Sequence, residues 1–86
     1  MWMKIDEKIA PASLREAGKK FEANLGEVTL DFSSVTRLDA ATLRELGELS
    51  RIAGEKAVNV NLRGVNVDVY KVLKLVKLTQ KFSFAN

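Results

Sequence analysis

The side chains with the best claim to chemistry in this 86-residue sequence are Asp31 and Asp39. They flank a stretch of hydroxyl residues, Ser33, Ser34 and Thr36. Two carboxylates near the end of a strand could share general acid/base work or hold Mg²⁺, because α/β folds place sites at strand C-termini. The rest of the sequence withholds what such a pair needs. There is no histidine and no cysteine. That removes imidazole acid/base chemistry, the Ser-His-Asp triad, thiol nucleophiles, CxxC redox pairs, and His- or thiolate-ligated metals. No Gly-rich segment ends in Lys-Ser/Thr to cradle a phosphate. Asp39 has a simpler occupation as the N-cap of a following helix, and Asp31 can brace the same loop. We therefore assign no catalytic residue, no metal and no cofactor.

A second group is basic. Lys71, Lys74, Lys77 and Lys81 could meet nucleic acid or a membrane. Residues 1–50 carry 7 basic and 9 acidic side chains, and residues 51–86 carry 7 basic and 2 acidic, within a net charge of +3. Tyr70 is the only aromatic residue in that helix, too few for a stacking platform, so no nucleic-acid partner is expected. The same segment has a core-facing apolar stripe, which makes it a domain helix with no direct membrane insertion. A protein–protein rim formed by Tyr70 and the lysines fits better.

These residues must be held by a small fold. The length supports a single domain over residues 1–86, and 47% apolar with 29% charged residues is ordinary for a globular chain. No apolar run reaches bilayer length and the N-terminus lacks a signal-peptide pattern, so a cytoplasmic location is expected. Residues 1–6 alternate as a strand, with Met1, Met3 and Ile5 on one face and Trp2 on the other. Pro11 suits the first turn of a helix, 11–24, which buries Leu14, Ala17, Gly18, Phe21 and Leu25 and stops at Asn24 and Gly26. Val28, Leu30 and Phe32 mark a strand over 27–32, followed by a connection over 33–39. Asp39 caps a helix over 40–53 with the stripe Leu43, Leu46, Leu49, Ala53 and Ile52, closed by Gly54. Val58, Val60 and Leu62 alternate as a third strand. Asn66 caps a helix over 67–77 with Asp68 in its first turn and Val69, Val72, Leu73 and Val76 facing inward. Phe82 and Phe84 suggest a last short strand over 80–84.

The order β-α-β-α-β-α-β implies parallel pairing with right-handed crossovers. Thr29, Asp31, Asn59 and Asn61 give the strands one polar face, whereas doubly buried strands read as continuous apolar runs. The expectation is a two-layer α/β fold: a mostly parallel four-stranded sheet with three main helices on one face. Trp2 then lies on the open face as a possible contact residue.

The segment from Val28 through Asp31-Phe-Ser33 to Leu38-Asp39 resembles the STAS domain, the module of bacterial anti-sigma-factor antagonists, sulfate transporters and some ABC transporter subunits. The likeness continues through Gly54, the strand Asn59-Val-Asn-Leu-Arg-Gly-Val65 and the helix Asn66-Val-Asp-Val-Tyr70 to Leu78. Residues 62–78 look most like the STAS subunit of Mla-type phospholipid-transport ABC complexes. The resemblance implies a non-enzymatic regulatory module that docks on an ABC ATPase subunit, peripheral to the inner membrane through that complex. The alternatives it leaves are an anti-sigma-factor antagonist bound constitutively to its kinase, and a weak nucleotide binder. The implied contact surface comprises Asp39, Ala40, Ala41, Thr42, Arg44, Asn66, Asp68 and Tyr70. Anti-sigma antagonists carry a phosphorylatable Ser or Thr after the capping Asp. Here Ala40 occupies that position, so the phosphoacceptor is lost. Family members also open with two strands where this sequence has room for one, so the first family strand is expected to be missing. The exposed edge is then a candidate for homodimer formation.

Overall fold

A computed structural model describes residues 1–22 and 26–85. Four strands form one sheet: β1 (Trp2–Lys4), β2 (Glu27–Asp31), β3 (Asn59–Arg63) and β4 (Ser83–Ala85). They lie in sequence order, every neighbouring pair parallel. The crossovers are α1 (Ala10–Lys19), α2 (Ala40–Lys56) and α3 (Val67–Leu75). Laying each strand beside the last with right-handed connections puts all three helices on one face. Burial follows that layering. Val28, Leu30, Val60 and Leu62 are fully buried beneath Leu14, Ala17, Leu46, Leu49, Val69 and Leu73. The opposite face carries registered polar rows, Trp2–Thr29–Asn61–Ser83 and Lys4–Asp31–Arg63–Ala85. The outer edges of β1 and β4 are unpaired among the described residues.

The two-layer expectation thus holds, and several boundaries move. The first helix begins after a 3₁₀ turn (Glu7–Ile9) capped by Asp6. It ends at Lys19 rather than 24, where the Lys20 N–H donates to Ala17 O and the Phe21 N–H to Gly18 O. Gly18 weakens the last turn but allows close packing, for a Cβ there would sit 3.3 Å from side-chain atoms of Leu49 and Ile52. The expected stop at Asn24 and burial of Leu25 lie outside the described residues.

The second helix runs two residues past Gly54, which sits in its last turn with open space beside it among the described residues. Closure falls to Ala57 at φ 55°. Its N–H donates to Gly54 O, and Val58 N–H donates to Ala53 O. That pair is a Schellman motif. The third helix ends likewise, two residues before the expected 77. Lys77 stands at φ 63°, its N–H donates to Lys74 O, and Leu78 N–H donates to Leu73 O. Reversing the chain there leaves Val76 exposed rather than in the buried stripe. Leu43 and Ile52 are only half-buried, and Thr42 takes a core position on α2. A 3₁₀ turn (Thr79–Lys81) precedes β4, which begins later than expected and places Phe84 beside Leu62.

Candidate partner-docking surface

Parallel strands with helical returns bring the β1–α1, β2–α2 and β3–α3 connections to one end of the sheet. The middle connection, residues 32–39, is fixed from several directions. Asp31 Oδ1 accepts from Ser33 N–H at 2.9 Å, and Ser34 Oγ donates to Ile5 O at 2.9 Å. Val35 inserts into the core. Glu7 reaches across from the 3₁₀ turn, and its Oε1 accepts from Thr36 N–H (2.7 Å), Thr36 Oγ1 (2.5 Å) and Arg37 N–H (3.1 Å). These bonds, from the Thr36 side chain first and then from the two backbone N–H groups, hold the Glu7 carboxyl below the usual glutamate range.

The β3–α3 connection closes the other side. Asn66 Oδ1 accepts from Val69 N–H at 2.7 Å and caps α3. Its Nδ2 donates to Val35 O at 3.4 Å and Thr36 O at 3.3 Å. One residue thus caps a helix and ties it to the neighbouring loop. Gly64, at φ 72°, lets the two connections touch. A Cβ on it would stand 3.0 Å from Ser33 Cβ and 3.2 Å from both Ser33 Cα and Ser33 N. Phe32 N–H donates to Arg63 O at 2.7 Å beside this contact.

Asp39 caps α2 by accepting from Thr42 N–H at 2.8 Å. Hydrogen bonding from the Thr42 side chain and backbone depresses the Asp39 carboxyl. Asp31 is depressed by Ser33, with Lys4 and Arg63 adding Coulombic support. The two aspartates share no hydrogen-bond partner; Asp31 belongs to the open sheet face and Asp39 to the start of α2. Among the described residues no group of three or more carboxylates is placed to hold a metal ion.

Of the positions singled out in the sequence, Asp39, Ala40, Ala41, Arg44, Asn66, Asp68 and Tyr70 are exposed. Thr42 is not. At 3% exposure its side chain faces inward, away from the rim. Position 42 follows position 40 by two residues, about 200° around the helix, so the two point to opposite sides. Ala40, where the resemblance leads one to expect a phosphoacceptor, presents an exposed methyl. Tyr70 lies edge-on to Phe84, with ring centroids 5.2 Å apart, and with Val67 and Phe84 lines a cleft of about 290 Å³ beside the α3 N-terminus. A second depression of about 360 Å³, lined by Glu7, Lys8, Arg37, Leu38, Asp39 and Thr42, adjoins the α2 N-terminus. Trp2 is 57% exposed on the open sheet face. Glu7 and Gly64 were not singled out in the sequence. An acidic residue after a strand carries no local mark of its donors, and Gly64 entered only as part of the segment from Asn59 to Val65.

A family model described as Mlab, STAS domain matches residues 6–83. The crystal structure of a candidate anti-sigma factor antagonist from Thermotoga maritima superposes with a TM-score of 0.74 at 19% identity, covering 98% of this chain and 73% of that one. At that identity the likeness is one of fold. No curated protein matches the sequence.

Proposed function

The chain belongs to the STAS domain family, and on that premise we propose that it is a non-enzymatic interaction module that docks constitutively on a protein partner through residues 36–44 and 66–70. The observation that carries this reading is the bracing of the β2–α2 loop by Glu7 on one side and Asn66 on the other. A surface held so firmly loses little conformational entropy on binding. At its centre stand Ala40 and Ala41, exposed and small, where a partner backbone or side chain approaches closely. With a methyl at position 40, no phosphate adds the charge of about −2 that repels a partner elsewhere in the family.

For the partner we propose the ATPase subunit of a lipid-transport ABC complex, on the strength of the description of the matching family model. The test is calorimetric titration of the source organism's ABC ATPase with the native chain and with Ala40→Glu. A carboxylate in the first turn favours the helix dipole, so the variant keeps its fold. Buried at an interface, the same charge weakens binding by about tenfold or more. Unchanged affinity for Ala40→Glu overturns the assigned surface. Binding to an anti-sigma kinase instead of the ATPase overturns the transporter assignment and leaves the module intact.

A further inference from the structure

The C-terminal end of α3 is not part of the surface described above, and its composition is unusual. Leu75 is 81% exposed and Val76 46% exposed. Around them stand Lys71, Lys74, Lys77 and Lys81, all exposed. Lys71, Lys74 and Leu75 line one shallow apolar depression. The spacing i, i+3, i+4 puts these three side by side on the helix. Lys77 follows in the left-handed turn, and Lys81 is brought near by the 3₁₀ turn, where its N–H donates to Leu78 O at 3.0 Å. Residues 69–85 contain no Asp or Glu, and none of the four lysines makes an ion pair among the described residues. The helix dipole accounts for a lysine or two near a helix C-terminus. It does not account for a leucine left in water among four of them.

In place of the protein–protein rim expected from the sequence, we propose that this tip is an electrostatic docking site for an anionic lipid surface, with Leu75 reaching the headgroup region only and the lysines meeting lipid phosphates. Two features favour lipid over an acidic protein. All four cations are Lys and none is Arg. Protein interfaces deplete Lys and enrich Arg, which offers fixed bidentate geometry, whereas a fluid anionic surface rewards mobile point charges on flexible stems. The apolar part is also shallow and open, with Leu75 exposed at its rim. Leu75 stands next to the chain reversal with no deep groove among the described residues to receive a fixed partner side chain, and a lipid headgroup layer can yield around it. The α3 helix remains packed through Val69 and Leu73; only its outer end touches lipid.

The experiment is vesicle flotation of the full chain with phosphatidylcholine alone and with about a third phosphatidylglycerol. Binding to the anionic vesicles only, lost when salt shortens the Debye length several-fold, is expected. Each lysine contributes about fivefold in affinity, so Lys74→Glu with Lys77→Glu lowers binding by at least about 25-fold. Lys19→Glu with Lys20→Glu makes the same charge change at the end of α1 and leaves binding within about threefold. The proposal is overturned by equal binding to neutral vesicles, by no binding to anionic ones, or by equal loss in the two double variants. It is also overturned if polyglutamate competes as well as the anionic vesicles, which assigns the patch to acidic proteins.

Discussion

Replacing Gly64 by Ala tests how the docking surface is held together. Gly64 and Gly26 both adopt left-handed backbone, φ 72° and 74°. Their surroundings differ. Among the described residues nothing lies within 4 Å of a Cβ on Gly26, whereas a Cβ on Gly64 meets Ser33 Cβ at 3.0 Å and its backbone at 3.2 Å. In either variant the left-handed conformation costs an alanine about 1–2 kcal/mol, less the roughly 0.5–1 kcal/mol returned because alanine is less free when unfolded. Gly26→Ala therefore loses about 0.5–1 kcal/mol. Gly64→Ala carries the same strain and an overlap with backbone that cannot easily withdraw. Ser33 is held by the Asp31 carboxylate, and its neighbour Phe32 by Arg63 O. Overpacking of this kind costs about 1–3 kcal/mol, for a total near 2–3 kcal/mol.

Urea unfolding followed by far-UV circular dichroism gives both numbers. The difference between the two variants isolates the Ser33 contact. In a domain of this size each kcal/mol moves the thermal midpoint by about 4–8 °C, so Gly64→Ala melts roughly 10 °C below Gly26→Ala. Adding Ser33→Gly removes the 3.0 Å overlap but leaves those to Cα and N. It therefore recovers about 0.5–1 kcal/mol through a favourable coupling energy. Equal losses in the two single variants, or no coupling, refute the view that these loops are in contact through position 64.

Asn66→Ala removes a cap and two long bonds to the loop, about 1.5–2 kcal/mol together by urea unfolding, while Asn66→Asp keeps the cap and loses less than half of that. Ala57→Gly and Lys77→Gly relieve left-handed strain in two Schellman turns and raise stability by about 0.5–1 kcal/mol each; a loss at either site contradicts the left-handed geometry of the turn. Lys77→Gly should at the same time weaken binding to anionic vesicles by about fivefold, separating stability from docking. Glu7, Asp31 and Asp39 all have carboxyls depressed by hydrogen bonds in the folded state. Their contribution is complete above the unfolded value near pH 4 and is lost as pH falls through the lower folded values, so the urea midpoint drops on acidification below about pH 5. Glu7→Gln flattens part of that drop, and a midpoint that rises on acidification refutes the assignment.

What the sequence revealed and what it hid divide along the range of the interactions. Alternation at Val28, Leu30, Val60 and Leu62 reads locally, so the strands and their single buried face were legible. Asp39 and Asn66 were legible as caps because a cap bonds three residues ahead. The helix ends were less so. Gly54 looked like a stop, yet the chain turns at Ala57, because a Schellman closure depends on where Val58 enters the core rather than on which residue best tolerates the left-handed region. Thr42 read as a surface hydroxyl, though its place between Asp39 and Leu46 sets it on the buried side of α2. Hardest to see were Glu7 to Thr36 and Gly64 to Ser33, contacts spanning about thirty residues that exist only once the parallel order of β1, β2 and β3 has brought their connections to one end.

That common end gives the helix α3 two different tips. At its N-terminus, Asn66 is bonded to the loop proposed to dock a protein. At its C-terminus lie Leu75 and the lysines. Nine helical residues separate the two by about 13 Å along the axis. The distance exceeds the Debye length of about 8 Å at physiological salt, so charge at one tip is largely screened from the other. Charge at the two tips is therefore coupled only where Tyr70 of the docking surface adjoins Lys71, and their relative orientation is fixed by the packing of Val69 and Leu73. A partner bound at residues 36–44 and 66–70 reaches Lys71 at most and leaves Leu75, Lys77 and Lys81 free. The two proposals together predict that vesicle binding by the complex matches that of the free chain unless the partner adds charge of its own.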